Sequence, residues 1–486
     1  MRILVLLLSL ITCSFLSAQK VDFNDHLAQG IDAAIELRYP DLEKILAKER
    51  ELNPDNRMSD YLEAVSLVLQ MFLVEDEAFF DERVSHLNRL IDKLDDLPDS
   101  DPNKRVLQAE LILGRSGVYG KYKHNIKAAW GFYRAYNLLS ENFELYPDHI
   151  PTLIPYGVLL TAVGSLPDDY RSIANLFGFE GDIQRGLKYI RKAYYYSLAN
   201  PKYRFHRNYF GFVYAYVNFE LETQEQVSLY TLGMKVESSA YFIYLEAQQK
   251  LRAGQAVEAL SLLQKMPKGD AYLNIPYFTY YQAKVALIVN PELAKRYLDD
   301  FLEETKDNER KKSAYRYMAW YHLLKGEREA AEGYRQKILQ EKESLTGADK
   351  QALAEARRGF NTHLIKARLD FDAGRYAQIV ETLSPWLLAK ACKKDWEKQE
   401  FHYRRARALQ ELGFGKEAQT EYQKAVSFSN TTYALGNSTL QLGLLAERQG
   451  AWATAREYLE KAASLEGYPF YEGVQQKAKT ALSRQP

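Results

Sequence analysis

The sequence predicts an all-α fold: an α-α superhelix, a solenoid of helical hairpins, preceded by a divergent helical domain. Three observations predict it. Six times in the C-terminal half a small residue is followed seven positions later by a turn residue: Ala247/Gly254, Ala283/Asn290, Ala319/Gly326, Ala367/Gly374, Ala406/Gly413 and Gly443/Gly450. Apolar residues between these marks recur at i, i+3, i+4 and i+7, which puts them on one face of a helix. Only Cys392 follows the leader described next, so internal disulfides and zinc sites built on Cys pairs are excluded and packing must hold the chain.

The first 18 residues read as a signal peptide. Arg2 precedes the apolar run Ile3 to Ile11, and Ala18 offers a small residue before a cut. The run is too short to span a bilayer as a helix, and no later segment reaches 18 uninterrupted apolar residues, so nothing transmembrane is expected after its removal. Cys13 could accept a lipid, but Thr12 sits where a smaller residue is usual, which disfavours anchoring. The expectation is a secreted or periplasmic protein.

Residues 19–220 read as the divergent domain of helical hairpins. "DLEKILAKERELNP" is the second helix of a hairpin, ended by Pro54. The segments from Met58 to Pro98 and from Lys104 to Pro147 supply two further apolar-faced pairs. Gly114, Gly117 and Gly120 have no preceding strand and no Lys-Ser/Thr ending, so they mark a helix end or a close helix contact rather than a phosphate loop. The strip "GSLPDDYRSIANLFGFEGD" reads as a linking helix over 165–178. Pro167 fits its first turn, Asp168 and Asp169 its positive end, and Tyr170, Ile173, Ala174 and Phe177 one apolar face. Asp182 is then the N-cap of the next helix.

Residues 221–484 read as the repeat array. Its turn residues step by 36, 36, 48, 39 and 37, and the long step leaves room for roughly ten inserted residues near 341–350. The clearest units are 399–432 and 436–469. In the latter, Gly443 allows close helix approach, Gly450 ends the first helix, Ala455, Leu459 and Ala462 face inward, and Pro469 stops the second helix. Ala406, Gly413, Ala418, Tyr422 and Ala425 fill the same slots one unit earlier. These two units resemble the tetratricopeptide repeat, so the array is TPR-like; the resemblance implies stacked hairpins with a long curved binding surface. Ser165, Leu166, Pro167, Gly178, Phe179, Gly181, Asp182, Gly186 and Leu187 resemble a motif of the eukaryotic family of tetratricopeptide-39 proteins and the yeast inclusion-body-clearance protein. "AAWGFYRAYNLL" is similar to a helix of that family, Glu180 replaces its usual Ser, and the signal peptide departs from it. That resemblance carries no enzymatic chemistry.

Lys plus Arg and Asp plus Glu are 64 each, so the chain shows no basic excess and no nucleic-acid partner is expected. The eight His include no pair three or four apart, and neither HExxH nor Gly-x-Ser-x-Gly occurs, so no metal or cofactor is expected. The leading function is a non-enzymatic protein-interaction scaffold that binds a protein or peptide. Counted from the small-residue slots, Tyr241, Tyr244, Tyr277, Tyr280, Arg316, Trp320, Arg368, Tyr403 and Arg407 form the candidate groove, since Tyr, Trp and Arg most often anchor interfaces. The same rings could instead fill gaps between hairpins. One alternative is a secreted helical-toroid carbohydrate-active enzyme using Asp168/Asp169 and Glu180/Asp182, with His149 and Tyr170 nearby. The other is a lipid-associated protein using Tyr170, Ile173 and Phe177.

Overall fold

The computed structural model describes residues 20–485 apart from 75, 167–177, 224, 226, 271, 273, 306–309 and 343–345. The signal peptide and most of the expected linking helix lie outside the described residues, with Asp168, Asp169, Tyr170, Ile173 and Phe177. No strand occurs among the described residues; an isolated bridge joins Lys20 and Asn56. The chain divides into two compact units. Unit 1 comprises Met1–Gly157, Tyr189–Phe210 and Lys268–Asn274, and unit 2 comprises Val158–Lys188, Gly211–Pro267 and Ile275–Pro486. The helices α7 (Ile150–Gly164), α8 (Ile183–Ala199) and α9 (Arg207–Glu220) carry the chain from one unit to the other.

Unit 1 is built on three hairpins: α1 (Asp25–Ile35) with α2 (Tyr39–Leu52), α3 (Met58–Val74) with α4 (Glu77–Lys93), and α5 (Pro102–Lys121) with α6 (Asn125–Leu145). Asn24 starts the first by accepting hydrogen bonds from the backbone of His26 and Leu27. Asn24, Asn53 and Asn56 all donate to Oε1 of the buried Glu49, at 2.9, 3.1 and 2.9 Å, which ties α1 to the end of α2. Gly114 lies inside α5, and a Cβ there would come within 2.8 Å of Val68 Cγ1. The glycine therefore serves a close helix contact.

Unit 2 repeats one plan. Its hairpins are α10 (Ala240–Arg252) with α11 (Ala256–Leu263), α12 (Pro276–Val289) with α13 (Pro291–Glu304), and α14 (Lys311–Leu324) with α15 (Arg328–Gln340). Then α16 (Gly347–Arg358) fills the long step in the period. The hairpins resume as α17 (Thr362–Asp372) with α18 (Tyr376–Thr382), α20 (Asp395–Glu411) with α21 (Gly415–Val426), and α22 (Tyr433–Arg448) with α23 (Trp452–Ser464). Between them lies the short α19 (Pro385–Ala391), and α24 (Tyr471–Leu482) closes the array.

The period has a simple physical cause. Ala247, Ala283, Ala319, Ala367 and Ala406 are all buried where the paired helices cross. A Cβ on Gly443 would meet Leu459 Cγ at 2.7 Å. Gly254, Gly326, Gly374, Gly413 and Gly450 all have positive φ, between 72° and 84°, which ends each first helix at little cost only for glycine. Asn290 differs. Its φ is −145° because Pro291 follows and disfavours the helical region, and its side chain caps α13 by accepting from the Leu293 N–H. The last hairpin also differs from expectation, because α23 stops at Ser464, ahead of Gly467, before Pro469 is reached.

At the 164–182 strip, Asp182 Oδ1 accepts from the Arg185 N–H at 2.9 Å, the expected cap. A Cβ on Gly181 would strike the backbone of Gly164 and come within 2.6 Å of Val163 C, so the chain can cross there only as glycine.

Candidate functional site

Five of the six first helices of the hairpins in unit 2 help to bound a cavity of about 1130 Å³. Its wall draws on α9, α10, α12, α16, α17, α20, α22 and α24. On α20 the lining residues Trp396, Glu400, Tyr403, Arg404, Arg407 and Glu411 follow helical spacing, so one stripe of that helix faces inward. A flanking stripe, with Phe401 and Ala408, is buried against α17 and its neighbours. One amphipathic helix thus carries both core and site.

The wall is charged, and most of its charges are paired. Glu400 Oε2 accepts from Arg358 at 3.0 Å and its Oε1 from Arg404 at 3.1 Å. Burial alone would raise the Glu400 pKa, but Arg404 and Arg358 together hold it below the usual carboxylate range. Glu222 binds Lys477 at 2.7 Å and lies 3.5 Å from Arg252. Burial opposes the charge of Glu222 too, and Lys477 and Arg252 again prevail to lower its pKa. Glu447 takes both Nε and Nη2 of Arg484, at 3.0 and 2.9 Å. The last two pairs join α24 and the residues just after it to earlier parts of the wall.

Three of the nine residues singled out in the sequence, Arg368, Tyr403 and Arg407, lie on this wall. Arg368 is within 3.5 Å of Glu355, and its guanidinium lies 5.2 Å from the Trp320 ring. Arg407 lies 4.7 Å from the Phe371 ring and 3.7 Å from Glu411. Arg316 and Trp320 are buried behind the wall, Arg316 against Glu355 and over the Trp320 ring. Tyr280 is buried too, its hydroxyl 2.8 Å from Ser313 Oγ. Tyr241, Tyr244 and Tyr277 are half-buried and do not line the cavity. Tyr241 packs on Phe212, and the Tyr244 and Tyr277 hydroxyls meet at 2.5 Å.

Counting from the small-residue slots missed Arg358, Trp396, Glu400 and Arg404. Arg358 belongs to the inserted α16, which has no slot to count from. The other three share the α20 stripe with Tyr403 and Arg407, so extending the helical period backwards from Tyr403 finds them.

The residues of the enzyme alternative have structural roles where they are described. Glu180 and Asp182 lie 3.7 and 3.9 Å from Arg185 on the strip. His149 bonds Thr152 Oγ1 at 2.8 Å and Asn103 Oδ1 at 3.2 Å in unit 1. No three His, Cys, Asp or Glu among the described residues are grouped as metal ligands. No helix among them is long and apolar enough to cross a membrane.

Helices paired around small residues, with six hairpins in series, define the class: the chain is an all-α, TPR-like repeat protein. No family model matches the chain, and no curated protein is similar to it. Among solved structures it is similar to a human IFIT1 dimer with m7Gppp-AAAA, at 14% identity over 96% of this chain and 94% of that chain, with a TM-score of 0.26. It is likewise similar to a monomeric mutant of IFIT1 with Gppp-AAAA, at 14% identity over 93% and 98%, with a TM-score of 0.25.

Proposed function

We propose that the protein is a non-enzymatic interaction scaffold of the cell envelope or secretory space, and that the cavity of unit 2 holds an extended peptide segment of a protein partner. The observation that carries this reading is the wall itself. The rings of Phe371, Trp396 and Tyr403 and the guanidinium groups of Arg358, Arg368, Arg404 and Arg407 lie together on it, and Tyr, Trp and Arg are the groups that most often anchor interfaces. The pairing of Glu222 and Glu400 with Lys and Arg, which lowers the pKa of both, supports the non-enzymatic part. Carboxylates held ionised by cations are poorly placed to trade a proton with a substrate. The apolar run Ile3 to Ile11 and the small residue Ala18 support export, and an exported chain sequenced from the envelope fraction would begin at Gln19. Kinship of the 164–182 strip with the tetratricopeptide-39 family belongs to the same proposal, supported by the glycine crossing at Gly164 and Gly181.

Steric blocking of the cavity tests the binding role. Gln248 and Arg448 lie on the wall. Gln248→Trp combined with Arg448→Trp fills space without touching the hairpin slots. A tagged wild-type chain isolated from envelope extract should retain a partner that the double variant loses, with helix content unchanged. Equal retention by both would overturn the reading.

A further inference from the structure

We propose that the two ends of the unit 2 array form a polar latch, which parts to admit a loop of the partner chain into the cavity and closes behind it; the proposal rests on the peptide-binding reading above. The last helix of the array, α24, meets segments that precede its first hairpin. Lys477 Nζ lies 2.7 Å from Glu222, just after α9. Gln184 on α8 donates to Ser483 Oγ at 3.1 Å, and Gln476 donates to Ser165 Oγ at 3.5 Å. Lys479 donates to the Leu166 carbonyl. Six hairpins in series with their ends in contact make a closed circuit around the cavity. A free chain end can thread such a ring, whereas a loop held between folded domains enters only if the ring opens.

The seam is built unlike the joints between hairpins. Within the array, α24 is seated on α22 and α23 through Leu440, Leu459, Val474 and Ala478, all buried. Among the described residues, none ahead of α10 joins that cluster. The seam itself is crossed by polar side chains. The Gln184–Ser483 pair is exposed, and the Lys477 and Glu222 side chains remain 27% and 31% exposed. Ser165 and Lys479 are buried there, and the bonds they make are polar as well. Water replaces hydrogen bonds of this kind at little net cost, and ion pairs open to water add little stability. The array can therefore part at the seam while its hairpins stay packed.

The backbone of Glu222 is a second, independent observation. Its φ is 47°, in the left-handed region, and the Glu222 and Thr223 N–H groups bond the Phe219 and Asn218 carbonyls. Gly254, Gly326, Gly374, Gly413 and Gly450 end their helices with the same bonding pattern. Where the hairpins use glycine, α9 thus ends on a residue for which this conformation is costly. Leu37 and Lys123 take the same place in unit 1, so the backbone alone assigns no role. The carboxylate does. It reaches Lys477 on α24 at 2.7 Å and Arg252 on α10 at 3.5 Å, one cation from each end of the array. Glycine would suit the backbone better and could not bridge the two ends.

Spin labels on Gln184→Cys and Ser483→Cys report the seam in the full-length mature chain, since both positions are exposed and Cys392 is buried. Glu222→Gly removes the bridge and the backbone strain together. It should raise the fraction of chains with widely separated labels about fivefold without lowering the melting temperature, and Lys477→Gln should raise it by a similar factor. One short label distance in the wild type and in both variants would overturn the latch. A reducible bismaleimide across the same two cysteines then locks the seam. The probes are random dodecapeptides, either free or inserted in a surface loop of a folded carrier, photo-crosslinked from benzoylphenylalanine at Leu444 on the wall. Locking should abolish the loop adducts and spare those of free peptides, and reduction should restore the former. Undiminished loop adducts in the locked chain would overturn the latch and leave the peptide scaffold standing. No adduct from either probe, locked or unlocked, would overturn both.

Discussion

Gly254 and Gly374 meet backbone to backbone. A Cβ built on Gly374 would lie 2.7 Å from the Gly254 carbonyl oxygen, and one on Gly254 would lie 2.8 Å from Gly374 Cα. These glycines end α10 and α17, the first helices of the first and fourth hairpins of unit 2. The array therefore bends tightly enough for two turn residues 120 positions apart to touch. Arg252, Ala253, Phe371 and Asp372, just before these two turns, all line the cavity.

Gly374→Ala should damage this closure. The left-handed backbone at φ 73° costs a non-glycine residue about 1–2 kcal/mol, and the clash with Gly254 adds to it. Gly413 has a similar φ of 84° with open space around it, so Gly413→Ala should show the backbone cost alone. Urea unfolding of the two variants should place Gly374→Ala clearly below Gly413→Ala.

Glu400→Gln should destabilise unit 2. It removes the carboxylate shared by Arg358 and Arg404 and leaves two partly buried cations, which should destabilise by about 2–4 kcal/mol. Urea unfolding of the variant beside the wild type measures the loss.

Glu110 in unit 1 should set part of the pH profile. Its carboxylate accepts from the Tyr61 hydroxyl at 2.7 Å and the Tyr209 hydroxyl at 2.9 Å. Burial outweighs these bonds and raises its pKa from 4.5 to about 7. The folded state then binds the proton more tightly than the unfolded state. This contribution is fully present below pH 4.5 and is lost as pH rises through about 7. Glu110→Gln keeps an acceptor for the tyrosines and removes the titration. Relative to the variant, the wild type should lose about 1–3 kcal/mol between pH 4.5 and 8.

His206 should act with the opposite sign. Burial, and then the charge of His149, lowers its pKa from 6.5 to about 4, and its ring packs against Phe23 at 4.6 Å and Phe210 at 5.1 Å. The unfolded chain takes up the proton first. Stability is therefore present above pH 6.5 and lost as pH falls through about 4. Thermal melts of His206→Phe and wild type should diverge across that window, with the wild type falling more steeply on acidification.

Loss of α24 should expose the end of the array. Val474, Ala478 and Ala481 pack on Leu440, Leu459 and Ala462 in one buried cluster. A terminal cap that shields the last hairpin is a general need of stacked repeats. A chain ending at Gly467 should aggregate or melt in more than one step in calorimetry.

The hairpins of unit 2 were legible because glycine and alanine have few competing uses at a helix crossing. Gly450 and Gly413 are needed for their φ, and Ala455 and Ala418 for their size. Asn290 also marks its turn, ending α12 and capping α13, but Pro291 keeps it out of the left-handed region that the glycines use. The site was less legible. Slot counting finds which helix faces inward, but not how far a side chain stands from the next hairpin. Tyr280, Trp320 and Tyr403 share one register, and neighbouring helices bury all three. Arg358 was invisible to any repeat argument, because α16 interrupts the period.

Photo-crosslinking tests the central claim most directly. Benzoylphenylalanine placed at Leu444 faces the cavity, and at Lys461 it sits on the exposed side of α23. Illumination with a bound peptide should yield an adduct from position 444 and none from 461. An adduct from 461 alone would place the binding surface outside the cavity and contradict the account.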